Sequence, residues 1–197
     1  MPKALANRMC HVEIYADIDD WKKWALNNDI DSRIIGFLNF KNDALFVFDP
    51  AKDDLAYPTP RTWAMVNTFL KKVPNIDACS SLIAGAIGIG AATEFMGYAK
   101  VYASLPDIDG IFKGKQVPYP NKMDVCYALS ASLVSKAIKA NKSQLTNMIN
   151  WLQDWEPDYA ILTILDCVKM KELKQKIINN EEWVKYYHNH RDLLTGI

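Results

Sequence analysis

Trp63, Val66, Phe69, Leu70 and Val73 recur at three- and four-residue intervals in a stretch bounded by Pro60 and Pro74. That spacing puts all five on one face of a helix, so it predicts an amphipathic helix over 60–73. Thr59 suits the N-cap, and Pro60 suits the first helical position, where its missing N–H costs nothing. Pro74 cannot continue the helix and ends it. A striped helix is stable only with partners for its apolar face, and the sequence supplies them. Asp19 and Asp20 can cap a helix through Ala25, and Asp31 can cap another through Phe40, with Ile34, Phe37 and Leu38 on one face. Further stripes are Cys126, Leu129, Leu133 and Ile138; Leu145, Met148, Ile149, Leu152 and Trp155; and Ile161, Ile164, Leu165 and Val168. Ser143 suits the N-cap of the middle one. A last helix over 181–194 carries Trp183, Tyr186, Tyr187 and Leu193. The expected fold is mainly α, a bundle or a short stack of helix pairs. One short strand, His11 to Tyr15 with Val12 and Ile14 apolar, stands before it.

Arg61 is out of place in this scheme. The positive end of the helix dipole disfavours a cation in the first turn. Beside free backbone N–H groups, an arginine there makes sense if an anion is its partner. The alternative is a solvated arginine whose stem packs on Trp63.

The stretch Ala56-Tyr57-Pro58-Thr59-Pro60-Arg61-Thr62-Trp63 resembles the sensor-2 segment of MoxR-like AAA+ ATPases, in which Ser/Thr-Pro-Arg opens a lid helix over the nucleotide. Residues 1–14, with Leu5-Ala6-Asn7-Arg8-Met9, resemble the part of those ATPases that carries the arginine finger and leads into the last core strand. Arg8 occupies the finger's position, and Met9 stands where an aromatic residue is usual. Asp17 to Ala25, with its paired tryptophans, and Ile83 to Phe95 are similar to a phage and bacterial branch of the family. The resemblance is strongest over residues 1–105. It implies a remnant of an α/β core over 1–16, a helical lid with the sensor-2 helix over 17–75, and a C-terminal helical region over 76–197. It further implies that Thr59, Pro60 and Arg61 contact nucleotide, and that Arg8 acts in trans on nucleotide held by a neighbouring subunit of a ring. The family's work is ATP-driven, chaperone-like remodelling, in many members beside a partner with a von Willebrand factor A domain.

A P-loop needs Gly-x-x-x-x-Gly-Lys-Ser/Thr, because glycines let backbone N–H groups cradle phosphates while lysine and hydroxyl serve phosphate and magnesium. The sequence contains none: Gly85, Gly88 and Gly90 are followed by Ala91-Ala92-Thr93, and Gly114-Lys115 by Gln116. Nor does an apolar strand end in the acidic pair of a Walker-B site. ATP and Mg2+ are therefore expected only in combination with a P-loop half on another segment or polypeptide. By itself the chain is expected not to hydrolyse ATP. The three glycines read instead as places where helices approach closely, within a helix or helix pair over 77–104.

Other function classes find little support. Lysine plus arginine equals aspartate plus glutamate at 23 each, so no global field attracts nucleic acid or an anionic membrane. The longest apolar stretch, Leu82 to Ala92, is too short to span a bilayer. Four widely spaced cysteines without a CxxC pair fit a reduced, cytoplasmic protein. His188 and His190 point apart on a helix and have no third ligand nearby, so no metal site is expected. No Ser/His/Asp or Cys/His arrangement marks a self-contained hydrolase. The reading that competes with the ATPase part is a helical protein-interaction scaffold with no nucleotide role.

Overall fold

Side-chain caps set where several of the helices begin. In the computed structural model, which describes residues 3–13, 15–73 and 75–189, α1 (Lys3–Ala6) is a single turn. Asp17 then accepts from the Asp20 backbone N–H at 2.8 Å and opens α2 (Ile18–Leu26). Asp31 accepts from Arg33 N–H and opens α3 (Ser32–Phe40). After an irregular stretch, Thr59 opens α4 (Pro60–Lys72). α5 (Ser80–Ile87) and α6 (Ile89–Ala99) meet at Gly88, and Asp107 caps the short α7 (Ile108–Phe112). Then come α8 (Met123–Ala137), α9 (Lys142–Gln153), α10 (Pro157–Lys169), α11 (Lys171–Ile178) and α12 (Glu181–Asn189).

The core is continuous from Trp21 to Tyr186, so the helices before and after position 75 share it. Its densest knot joins α3, α4 and α6. Phe37 is 1% exposed and lies with its ring centre 5.6 Å from Trp63, 5.5 Å from Phe95 and 5.5 Å from Tyr98. Burying one such ring is worth about 1.5–3 kcal/mol, and the edge-on geometry of the Phe95 and Tyr98 pairs adds about 0.5–1.5 kcal/mol each. α3 also lies along α8, and Gly36 makes that approach possible. A Cβ there would fall 3.4 Å from Ala131 Cβ of α8 and only 2.8 Å from the hydroxyls of Tyr98 and Tyr102, which lie before α8. α8 packs in turn on α10, where the fully buried Thr163 and Ser130 hydroxyls bond each other at 2.9 Å. The irregular stretch before α8 is pinned by the indole N–H of Trp151, which donates to Val117 C=O at 2.9 Å.

The mainly α expectation holds, and among the described residues there is no strand. The strand expected over 11–15 is not formed at His11–Glu13 or Tyr15, and Ile14 lies outside the described residues. A lone strand needs a neighbour for its N–H and C=O groups, and among the described residues no strand supplies one. Val12 is 73% exposed. Further expectations need correction. The cap of α2 is Asp17, not Asp19 or Asp20, which lie inside its first turn. The cap of α9 is Asn141, not Ser143: Asn141 and Gln144 exchange side-chain and backbone bonds in a capping box. Of the three glycines expected at close approaches, only Gly88 is at one, since a Cβ at Gly85 or Gly90 would meet open space. The sequence reading also missed α7 and α11, the latter because it buries only Leu173 and Ile177 among charged residues. Pro74 and the part of the last expected helix beyond Asn189 lie outside the described residues. Among the described residues no helix is long and apolar enough to cross a membrane.

Candidate functional site

The start of α4 is built by a reciprocal cap. Thr59 is extended (φ −146°, ψ 161°), and its Oγ1 accepts from Thr62 N–H at 3.1 Å while Thr59 N–H donates to Thr62 Oγ1 at 2.7 Å. Such a cap is worth about 0.5–2 kcal/mol and fixes the direction in which the first turn leaves the loop. One turn inward, the fully buried Trp63 anchors the helix, donating its indole N–H to Ala44 C=O at 2.9 Å. Pro60 C=O accepts from the indole N–H of Trp21 on α2 at 3.4 Å. The helix start is thus held from within, from the turn after α3 and from α2.

Arg61 stands on the outer side of this frame, exposed, with no ion pair or hydrogen bond among the described residues. Lys71 and Lys72 sit in the last turn, where the dipole favours them, whereas Arg61 sits at the opposite end. It lines an open groove of about 510 Å³ with Leu55, Tyr57, Thr59, Pro60 and Ala86. No carboxylate of a described residue lines that groove; it presents the exposed Arg61 guanidinium and the Arg61 N–H, the one first-turn donor the cap leaves over, because Pro60 has none, Thr62 N–H is held by Thr59 Oγ1 and Trp63 N–H by Thr59 C=O. A phosphate placed there would meet that one guanidinium and that one N–H. A magnesium ion would need its ligands from elsewhere.

Sequence reasoning missed Thr62, the second half of the cap, and the role of Gly88. At φ +81° and ψ 155°, Gly88 lets the α5–α6 turn lie against the groove's wall, where a Cβ would come within 2.7 Å of Ala56 C=O. The signal for Thr62 was legible as a hydroxyl three residues after the N-cap.

The structure does not bring Arg8 into the groove. It lies in the exposed turn after α1, within a stretch, 4–17, that has no buried residue among those described. No group of three His, Cys, Asp or Glu side chains is placed to hold a metal among the described residues. His188 is exposed against Tyr187, and His190 lies outside the described residues.

A second polar feature lies deep in the fold. Lys22 Nζ of α2 is 2.8 Å from Asp166 Oδ1 of α10, with Lys22 only 6% exposed and Asp166 fully buried. Burial pushes the Asp166 carboxyl above the usual carboxylate range, against the pull of Lys22. Neither carboxylate oxygen has a well-aligned hydrogen-bond donor, and the Asn39 Nδ2 amide beside them has no well-aligned acceptor. The short N···O distance establishes the ion pair, while the alignment shows that its geometry is not ideal.

No family model, no curated protein and no solved structure matches this chain.

Proposed function

We propose that the chain is the lid and C-terminal portion of a MoxR-like AAA+ ATPase, working with a P-loop-bearing core carried on another segment or polypeptide. The observation that carries this reading is Arg61: an exposed, unpaired guanidinium held at the positive end of α4 by a reciprocal cap. An arginine in that position is unfavourable alone and becomes favourable against phosphate, to which it can present two parallel N–H groups. With ATP and Mg2+ bound by the P-loop half, Arg61 contacts phosphate in cis, and closing the lid shields the contact from water. Arg8 then acts as an arginine finger in trans, stabilising transition-state charge in a neighbouring subunit of a ring. That no described residue of 4–17 is buried suits that reach. The output is ATP-driven remodelling, with the C-terminal helices or a von Willebrand factor A-domain protein serving partner recognition in the cytoplasm.

Hydrolysis measured with the P-loop half supplied tests this. Losing a charge-assisted contact of about 1.5–3 kcal/mol weakens nucleotide binding by roughly 10- to 150-fold, so Arg61→Ala is expected to raise KM by that factor. Arg8→Ala is expected to lower kcat instead. Subunits lacking Arg8 should regain turnover when mixed with subunits that keep Arg8 but cannot bind nucleotide, and the Arg61 defect should not be rescued this way. If both variants hydrolyse ATP like the parent, the helical interaction scaffold replaces this reading.

A further inference from the structure

α2 touches both the helix that carries Arg61 and the far C-terminal helices, and its contacts to both are directional. Toward α10 and α11 it presents the buried Lys22–Asp166 pair at 2.8 Å and the outer Lys169–Asp19 pair at 3.1 Å. At its C-terminal end, Asn27 Nδ2 donates to Lys169 C=O at 3.2 Å while Asn27 Oδ1 accepts from Lys171 N–H at 2.9 Å. One amide thus joins the last carbonyl of α10 to the first N–H of α11. Toward α4, Trp21 N–H reaches Pro60 C=O at 3.4 Å. The turn after α2 is tied on as well: Asp31 N–H donates to Asn67 Oδ1 at 2.8 Å, Asn67 Nδ2 donates to Asp29 C=O at 3.4 Å, and Lys71 pairs with Asp29 at 2.8 Å.

We propose that α2 is a strut coupling the α10–α11 junction to the Arg61 end of α4, with Lys22 and Asp166 as positioning residues that fix its axial register. Apolar packing alone would let α2 slide along α10 at little cost, whereas a buried charge pair has one favourable alignment; fixing register is the best-attested use of such pairs. The distances make the coupling sensitive. Each residue of a helix advances about 1.5 Å along its axis, so a slip of one residue breaks the Trp21–Pro60 bond, already long at 3.4 Å. A load on α10 or α11 then reaches the groove through the cap of α4. The coupling is a property of the fold, while its use at a nucleotide depends on the reading of Arg61 above.

Hydrogen exchange on the whole chain without nucleotide tests the strut, so its failure leaves the ATPase assays untouched and theirs leaves it untouched. The informative variant is the double Lys22→Met/Asp166→Leu, which replaces the pair with apolar side chains and removes the register without leaving a buried charge. Amides of residues 62–66 are expected to exchange about five- to tenfold faster, the change that losing one net hydrogen bond brings, while α9 amides and the urea midpoint stay at or above the parent's protection. Unchanged exchange at 62–66 overturns the proposal. So does equal acceleration in α4 and α9, which reports only global stability. Asn27→Ala, an exposed change that leaves the buried pair in place, is read by the same criteria and decides the matter if the double variant does not fold.

Discussion

Removing Lys22 alone should cost far more than removing the whole ion pair. In Lys22→Met the Asp166 carboxyl, fully buried, loses the only cation within 4 Å among the described residues. Breaking a buried pair by deleting one partner costs about 3–5 kcal/mol, and replacing both partners with apolar side chains ranges from neutral to about 1–4 kcal/mol more stable. The poor alignment of donors on Asp166 places the double variant Lys22→Met/Asp166→Leu at the favourable end, because imperfect bonds repay less of the desolvation cost. With a urea slope of about 2.5 kcal/mol per molar, the single variant's midpoint falls by about 1–2 M while the double variant's does not fall. The acid also gives the penalty a pH signature. Burial raises the folded-state value of Asp166 above its ordinary 3.8, so the folded chain holds this proton more tightly than the unfolded one. The stability linked to it is full below the ordinary value and lost as pH rises through the folded value. Without Lys22, which pulls that value down, the folded value climbs further. The Lys22→Met penalty should therefore shrink as pH falls from neutrality toward the ordinary value of 3.8, as Asp166 takes up its proton and loses its charge. Urea titrations of parent, single and double variants across that range measure this. A double variant as unstable as Lys22→Met, or a Lys22→Met penalty that does not change with pH, would refute the reasoning.

Gly88→Ala should destabilise the chain by at least about 1–3 kcal/mol, because its backbone lies in a region essentially restricted to glycine and the new Cβ meets the Ala56 carbonyl. Gly90→Ala, in open space within α6, should instead stabilise by about 0.5–1 kcal/mol, and equal effects of the two in urea would contradict the close approach. A thiol reagent on the native chain should label Cys10 quickly, since it is the one exposed cysteine. Cys79, Cys126 and Cys167 are buried; burial pushes all three thiols up, Cys126 to about 11, so they should react only after unfolding. A second thiol labelled as fast as Cys10 would show that one of those sites opens in the native state.

Much of the architecture was legible because helix formation is decided within a few residues. The caps at Asp31 and Thr59, Pro60 at the first helical position, and the stripe of Trp63, Val66 and Leu70 each act inside one or two turns, and each holds in the structure. Where a local signal was absent or ambiguous, the reading failed. Asn141 and Ser143 are both able caps, and only the exchange of bonds with Gln144 selects the first. The alternation of Val12 and Ile14 suggested a strand, but a strand exists only when another segment pairs with it, and the sequence of one segment cannot state that. At the groove, the position of Arg61 against the helix dipole was readable from Thr59-Pro60-Arg61, since dipole and cap are properties of the helix itself.

What lies around those elements was decided by tertiary structure alone. No spacing rule connects Lys22 with Asp166 or Asn27 with Lys171, residues well over a hundred positions apart. Nor does one reveal that Gly36, unremarked inside a helix, lets α3 lie against the tyrosines before α8, or that Gly88 alone of its cluster touches another backbone. The sequence by itself determined where the strongly striped helices lie and which face of each is apolar, because that information is periodic and local. Which faces meet, in what register, and which buried charges fix that register follow from packing many helices into one core, where each contact depends on where all the others have settled.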